Sequence, residues 1–319
     1  MASSSLSAKS GASLRAPPAP LSRWRAARKW LAAQEGWVFI FPWVVGFILL
    51  DLGPYIFALV ISFLNWDVGR PPSFIGFRNY QAAFTDPLVG KSLWNTAYYT
   101  LFHVPGSTVI AFAVAGLLNQ KVRGMPIWRT MYYIPSVTSG VGMALIWIWL
   151  FAPRGALNGM LGWFGIDGPR WLTSTTWAMP ALIIMSFWGV GSSMVIFLAG
   201  LQGVPQHLYE AAEVDGGGWW AKVRHVTIPM MTPYIFLSLI LGVIGSFQVV
   251  TQALLMTEGG PDNATLFILL YIWIMGWNAF KMGYAASISW ILFAIIFAAT
   301  IVQFLGARRW VYYEYQEPG

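Results

Sequence analysis

Residues 210–229 read EAAEVDGGGWWAKVRHVTIP, the most polar interval in the second half of the chain. Glu210, Glu213, Asp215, Lys222 and Arg224 carry charge, yet long apolar runs lie on both sides. A charged interval framed in this way marks where a chain leaves an apolar solvent and returns to it. The rest of the sequence says which solvent that is.

The 319 residues are 57% hydrophobic and only 10% charged. Soluble domains carry about 25% charged residues, so this composition cannot supply a water-facing surface. Lipid is the expected solvent for most of the chain. No cysteine is present, which excludes disulfides, thiolate metal sites and thiol nucleophiles. The net charge of +7 raises a nucleic-acid reading, but the placement of the basic residues accounts for it without one.

Apolar runs long enough to cross about 30 Å of hydrocarbon occur near 37–63, 97–118, 131–151, 177–201, 233–256 and 283–306. A shorter run from Ala264 to Trp277 suits an interfacial or re-entrant helix better than a crossing. The predicted fold is therefore an all-α integral membrane protein with six transmembrane helices. Its transmembrane domain covers 36–319, after a basic tail and interfacial helix in 1–35. Lys9, Arg15, Arg23, Arg25, Arg28, Lys29, Lys121, Arg123, Arg129, Lys222, Arg224, Arg308 and Arg309 fall on one face of such a topology. Arg70, Arg78, Lys91, Arg154, Arg170 and Lys281 fall on the other. The richer face is expected to be cytoplasmic, which puts both termini and the 210–229 loop in the cytoplasm.

Residues 1–20 are rich in Ser, Ala and Pro and read as a disordered tail. The segment from Ser22, SRWRAARKWLAA, suits an interfacial helix with basic side chains at the headgroups. Pro42, Pro54, Pro105, Pro135 and Pro180 interrupt the predicted spans and are expected to kink them. Asp51 is an ionisable residue inside the first span, and its expected place is near the outer end or against another helix.

The segment VPQHLYEAAEVD reads as a short amphipathic helix, with Pro205 in its first turn and Gly216, Gly217 and Gly218 ending it. WWAKVRHV reads as a second short helix returning to the bilayer, with Pro229 beginning the next span. Two helical pieces and a glycine corner exceed what a plain connector needs, so the loop is expected to dock a partner.

These residues resemble the cytoplasmic EAA motif of permease subunits in ABC importers. Glu210, Ala211, Ala212, Gly216, Val226, Ile228 and Pro229 keep every spacing of that motif, with Val226 and Ile228 in place of the usual Ile and Leu. Further stretches resemble the carbohydrate-type, maltose-like branch: FIGFRNYQAAFTDP from Phe74, NTAYY from Asn95, LNQKVRGMPIWRTMYYIP from Leu118, ALNGMLGW from Ala156 and LMTEGGPDNAT from Leu255. The resemblance covers the chain from about residue 35 onward.

It implies that the loop between the fourth and fifth spans is a coupling helix seated on a separate ATPase subunit, with Glu210, Ala211, Ala212, Asp215, Gly216 and Pro229 in the docking element. ATP and magnesium would be bound by two such ATPase subunits, and none by this chain. A second permease subunit, expected to be a different chain, and an extracytoplasmic solute-binding protein complete the implied assembly. The implied location is a bacterial or archaeal cytoplasmic (inner) membrane. No enzyme activity is expected. The phosphate-cradling pattern is missing: Thr85 stands five residues before the Gly90-Lys91-Ser92 tripeptide. His103, His207 and His225 are scattered without metal-ligand spacing.

By the same resemblance, the solute pocket lies on spans four and five. Trp188, Gly189 and Ser192 are its candidates in SFWGVGSSM, and Gly242, Gly245, Ser246, Gln248, Val249 and Gln252 in LGVIGSFQVVTQ. An aromatic face combined with amides and hydroxyls suits a sugar. The alternatives are another polar solute, such as glycerol phosphate, on the same scaffold, or a secondary transporter. The latter would need intramembrane ionisable residues, for which Asp51 is the single candidate.

Overall fold

The longest helix starts where Asp86 caps it: Asp86 Oδ1 accepts the Leu88 N–H at 2.8 Å and Pro87 occupies the first turn. Asp at the cap and Pro just inside are strong helix-start signals, and they place the start ten residues before the apolar run at 97. Ser92 and Thr96, polar residues of that added length, are buried and donate back to the carbonyls of Val89 and Ser92. They satisfy themselves within the helix and need no water.

A computed structural model describes residues 37, 39–120 and 122–312. The expected tail and interfacial helix in 1–35, and Lys121, lie outside the described residues. The chain divides into two compact units, residues 1–57 and 58–319.

Within the first unit, the described residues begin helix α1 (Phe39–Ser62), which runs on into the second. Its Phe47–Leu52 turn is π-helical and contains Asp51, which is exposed. Trp43 stacks on Phe47 with ring centroids 5.4 Å apart.

In the second unit, the antiparallel pair β1 (Leu64–Asn65) and β2 (Ser73–Phe74) leads to α2 (Arg78–Thr85) and α3 (Pro87–Leu118). There follow α4 (Met125–Val137), α5 (Gly140–Leu150), α6 (Ala156–Trp163), α7 (Ala178–Gly189) and α8 (Gly191–Gly203). The chain continues through α9 (Gln206–Val214), α10 (Trp219–Ser246), α11 (Thr251–Met256), α12 (Ile268–Asn278) and α13 (Met282–Ala307).

Among the described residues, α1, α3, α10 and α13 are long and apolar enough to cross a membrane singly, and the count reaches six if each bent pair is one span. The prolines predict bends, and the two that occur lie between the helices of a pair. Between α4 and α5 the axis turns by 98°, and between α7 and α8 by 45°. The first break is made by Thr138 and Ser139, both extended, and not by Pro135 alone. Pro105 lies inside the unbroken α3, and Pro180 sits in the first turn of α7, where a missing N–H is tolerated. The predicted fifth span also divides: α10 ends at Ser246, and α11 is a separate helix after the break at Gln248–Val250. The run at 264–277 forms only the short α12, in keeping with its length.

Small residues let the long helices approach closely, as they must where lipid supplies no hydrophobic drive. Ala111 and Ala115 of α3 are fully buried against a cluster containing Met194, Phe197 and Met231. A Cβ on Gly200 of α8 would stand 2.8 Å from the Tyr234 ring, and one on Gly106 of α3 2.6 Å from Phe187. The second, larger cluster gathers Tyr99, Trp147, Phe151, Leu182, Phe267 and Leu270.

Candidate functional site

Helix α9 carries the Glu210-Ala211-Ala212 motif, and its end explains the motif's spacing. The Gly217 N–H donates to Ala212 O at 2.7 Å and the Gly216 N–H to Glu213 O at 2.9 Å, with Gly216 at φ +78°. That is the Schellman cap, in which the left-handed residue follows four positions after the helix residue whose carbonyl closes the turn. Gly216 is required by its conformation and Gly217 by space, since a Cβ there would meet Ala212 O at 2.6 Å. The Ala–x3–Gly interval is thus a helix terminus written into sequence.

Glu210 and Ala211 are exposed, as are Val214, Asp215 and Gly216, while Leu208, Tyr209 and Ala212 are half-buried on the opposite face. Val214 is 88% exposed and Trp220 72%, so the loop presents apolar surface as well as acids. Lys222 pairs with Glu213 across the corner, and Tyr209 Oη lies 3.2 Å from Thr227 Oγ1. These contacts hold α9 against the following helix. That following segment is not a separate second helix: Trp219–Lys222 passes through a π-helical turn, Val223–Thr227, directly into the rest of α10. Pro229 lies inside this continuous helix, two residues past the π-turn, where the widened register accommodates a residue without an N–H.

A second feature is a cavity of about 270 Å³ between α3, α7, the α4–α5 break and α11. Gly189, Val249 and Gln252 of the predicted set line it, together with Tyr99, His103, Ser136, Thr138 and Ser186. His103 Nδ1 lies 2.7 Å from Ser186 Oγ, and the imidazole stacks on the Tyr99 ring at 5.0 Å. Aromatic faces, hydroxyls, an imidazole and an amide therefore converge, and no Lys or Arg is among the lining residues.

The remaining predicted pocket residues lie elsewhere. Trp188 lines a neighbouring apolar groove with Trp128, Tyr132 and Val190. Ser192 and Gln248 are exposed outside the cavity. Gly242 packs against Val104, where a Cβ would come within 3.1 Å, and Gly245 has open space beside it. Ser246 is buried with its Oγ 2.8 Å from Thr100 Oγ, a contact between α10 and α3. Sequence reasoning missed Tyr99, His103 and Ser186. An isolated histidine in an apolar run is itself a signal in a membrane protein, and His103 was that signal.

Residues 94–312 match the family described as the binding-protein-dependent transport system inner membrane component. The chain belongs to this family. Among its relatives is the probable ABC transporter permease protein YesP of Bacillus subtilis (strain 168), 37% identical over 287 residues, covering 88% of this chain and 93% of the relative. The lactose transport system permease protein LacF of Rhizobium radiobacter is 32% identical over 282 residues, covering 86% and 94%. The fold of this inner membrane component is also that of a chain in the crystal structure of a bacterial alginate ABC transporter with an alginate pentasaccharide-bound periplasmic protein. The two share 21% identity at a TM-score of 0.77, over 90% of this chain and 97% of that one.

Proposed function

We propose that this inner membrane component is the permease subunit of an ATP-driven importer for a neutral sugar or oligosaccharide delivered by an extracytoplasmic binding protein. The observation that carries the mechanism is the exposed, Schellman-capped α9, which turns at Gly216–Gly218 directly into the continuous helix α10. A force applied to α9 passes through the Glu213–Lys222 and Tyr209–Thr227 contacts into a helix that runs to Ser246. In this reading α9 is the coupling helix. Glu210 and Asp215 accept hydrogen bonds from a partner ATPase, the exposed Ala211 admits its close approach, Ala212 closes the helix cap, and Gly216 fixes the exit angle. Pro229 sits within α10 just past its π-turn, in the stretch that carries the motion inward. Nucleotide and magnesium belong to two ATPase subunits outside this chain.

The sugar reading draws on relatives named for lactose, arabinooligosaccharides and starch degradation products. The cavity chemistry fits it: Tyr99 and His103 offer ring faces, and Ser136, Thr138, Ser186 and Gln252 offer donors and acceptors. The lack of Lys and Arg in the lining disfavours an anionic solute such as glycerol phosphate, since a buried phosphate needs a cationic partner. A secondary transporter would leave the capped loop without a role.

We further propose six crossings, counting α4–α5 and α7–α8 as one bent span each. Both termini then face the cytoplasm of a bacterial or archaeal cell, and the pairing is with a second, different permease chain. Uptake of radiolabelled neutral sugars by the reconstituted complex, with and without binding protein, tests the reading. Binding-protein-dependent, ATP-dependent uptake of at least one sugar is expected, and uptake independent of ATP would overturn it.

A further inference from the structure

A second cavity with a polar lining lies away from the one above. It measures about 520 Å³ and is lined by Asn65, Trp66, Asp67, Asp86, Tyr271, Lys281 and Tyr284, among others. Its place is the end of the helices opposite the α9 loop. Asp86 caps the start of α3, and Tyr284 lies in the first turn of α13. The far end of α13 is joined to the loop-proximal part of α10, where Trp310 packs on Phe236 and the Tyr312 N–H donates to Thr232 Oγ1 at 2.9 Å. Along α3, Asp86 stands roughly 20–25 Å above Tyr99 and His103, at about 1.5 Å per residue.

The walls are held before any ligand arrives. Tyr271 and Tyr284 both donate to Asp86 Oδ2, at 2.6 and 2.7 Å, tying α12 and α13 to the start of α3. The strand-like bridge of Asp67 to Lys281 and the Val68 N–H to Phe280 O bond close the other side. Such preorganisation lowers the ordering cost of binding. The carboxylates are also answered. Asp86 is donor-satisfied by two hydroxyls and a backbone N–H, and Asp67 has Arg70 at 3.9 Å. A cation finds no uncompensated carboxylate here, while the Lys281 side chain is left as a donor. A neutral molecule rich in hydroxyls finds acceptors at Asp67 and the tyrosine oxygens and donors at Asn65 and Lys281. The volume falls in the range of about 300–1,000 Å³ usual for small-molecule sites.

We propose that this cavity is a second binding site for a neutral sugar ring, an outer vestibule on the solute's way to the Tyr99–His103 cavity. The inference rests on the sugar reading above. The same ring chemistry reaches the site either from free sugar or from sugar carried by the binding protein, and the test separates the two.

The complete transporter in lipid nanodiscs is photolabelled with a diazirine-bearing neutral glucoside, added free in one arm and preloaded on the binding protein in the other. Adducts are mapped by peptide mass spectrometry. Adducts on 65–67 or 271–284 in either arm are expected, and the arm that gives them identifies the source. Because the two substitutions remove the chief side-chain donors, the Asn65→Leu/Lys281→Met variant should lose these adducts by about ten-fold. Labelling of the Tyr99–His103 cavity serves as the control that the variant is folded. Adducts confined to that inner cavity in the wild type overturn the vestibule and leave the sugar reading standing. Adducts nowhere on the chain overturn both.

Discussion

Asn95 Nδ2 donates to Asn263 O at 2.7 Å and to Leu266 O at 3.0 Å, joining α3 to a loop 168 residues further along the chain. One residue on, Thr96 Oγ1 accepts the Ile268 N–H at 3.0 Å. The 257–266 loop is bonded within itself as well, with Thr265 Oγ1 2.6 Å from Thr257 Oγ1 and donating to Gly260 O at 2.7 Å. Two stretches that look unrelated in sequence, NTAYY and LMTEGGPDNAT, are thus one structural unit.

Replacing Asn95 by Ala should remove both donations and leave the buried Leu266 O without its side-chain donor, while Asn263 O keeps the Leu266 N–H. An unsatisfied buried polar group costs about 1–3 kcal/mol, so the purified complex should melt measurably lower. Thermal unfolding followed by intrinsic fluorescence checks this, and an unchanged melting temperature would show the tether to be dispensable.

The capped end of α9 separates conformation from contact. Gly216 has φ +78° and open space around its Cβ position. A β-branched residue there pays the left-handed penalty of about 1–2 kcal/mol, whereas asparagine tolerates that region. Gly216→Val should therefore lower ATP-dependent uptake while Gly216→Asn stays near wild type. If both variants transport equally well, the exit angle of α9 is not transmitting force.

The cavity around His103 and the exposed position of Gln248 give opposite expectations for two glutamines. Gln252→Leu and Ser136→Ala should each raise the half-saturating concentration for uptake by about ten-fold, the effect of one lost hydrogen bond of roughly 1–1.5 kcal/mol. Gln248→Leu should leave it unchanged. Ser246→Leu should instead impair assembly, because Ser246 fills the contact with Thr100. Uptake kinetics beside size-exclusion profiles distinguish these outcomes.

Asp86 gives a pH dependence. Burial pushes its carboxyl upward, but the hydroxyls of Tyr271 and Tyr284 and the backbone N–H groups of Leu88 and Val89 outweigh that, so the net shift is below the ordinary 3.8. A depressed folded-state value means that the ionised form stabilises the fold above the unfolded value and that this is lost as pH falls through the folded one. The melting-temperature gap between wild type and Asp86→Asn should be constant from neutral pH down to about 4. Below that it should shrink as the wild-type carboxyl protonates. A gap that widens on acidification would reverse the assignment.

Much of this molecule is written locally. The 10% charged composition fixes lipid as the solvent, and the interval from Glu210 to Pro229 encodes a helix, its Schellman terminus and the family to which the chain belongs. These follow from the sequence because capping and partitioning depend on a residue and its near neighbours. The Asp86-Pro87 start of α3 was equally local, yet hydropathy hides it, since Ser92, Asn95 and Thr96 look like residues outside a span. The cavities were decided by tertiary structure alone. Helices surrounded by apolar neighbours and lipid are apolar on all sides, so their sequence carries no stripe to show which face turns inward. The 98° and 45° bends and the break after Ser246 then chose the inward faces. They brought Tyr99, His103 and Ser186 to Gln252 and carried Gln248 and Ser192 away.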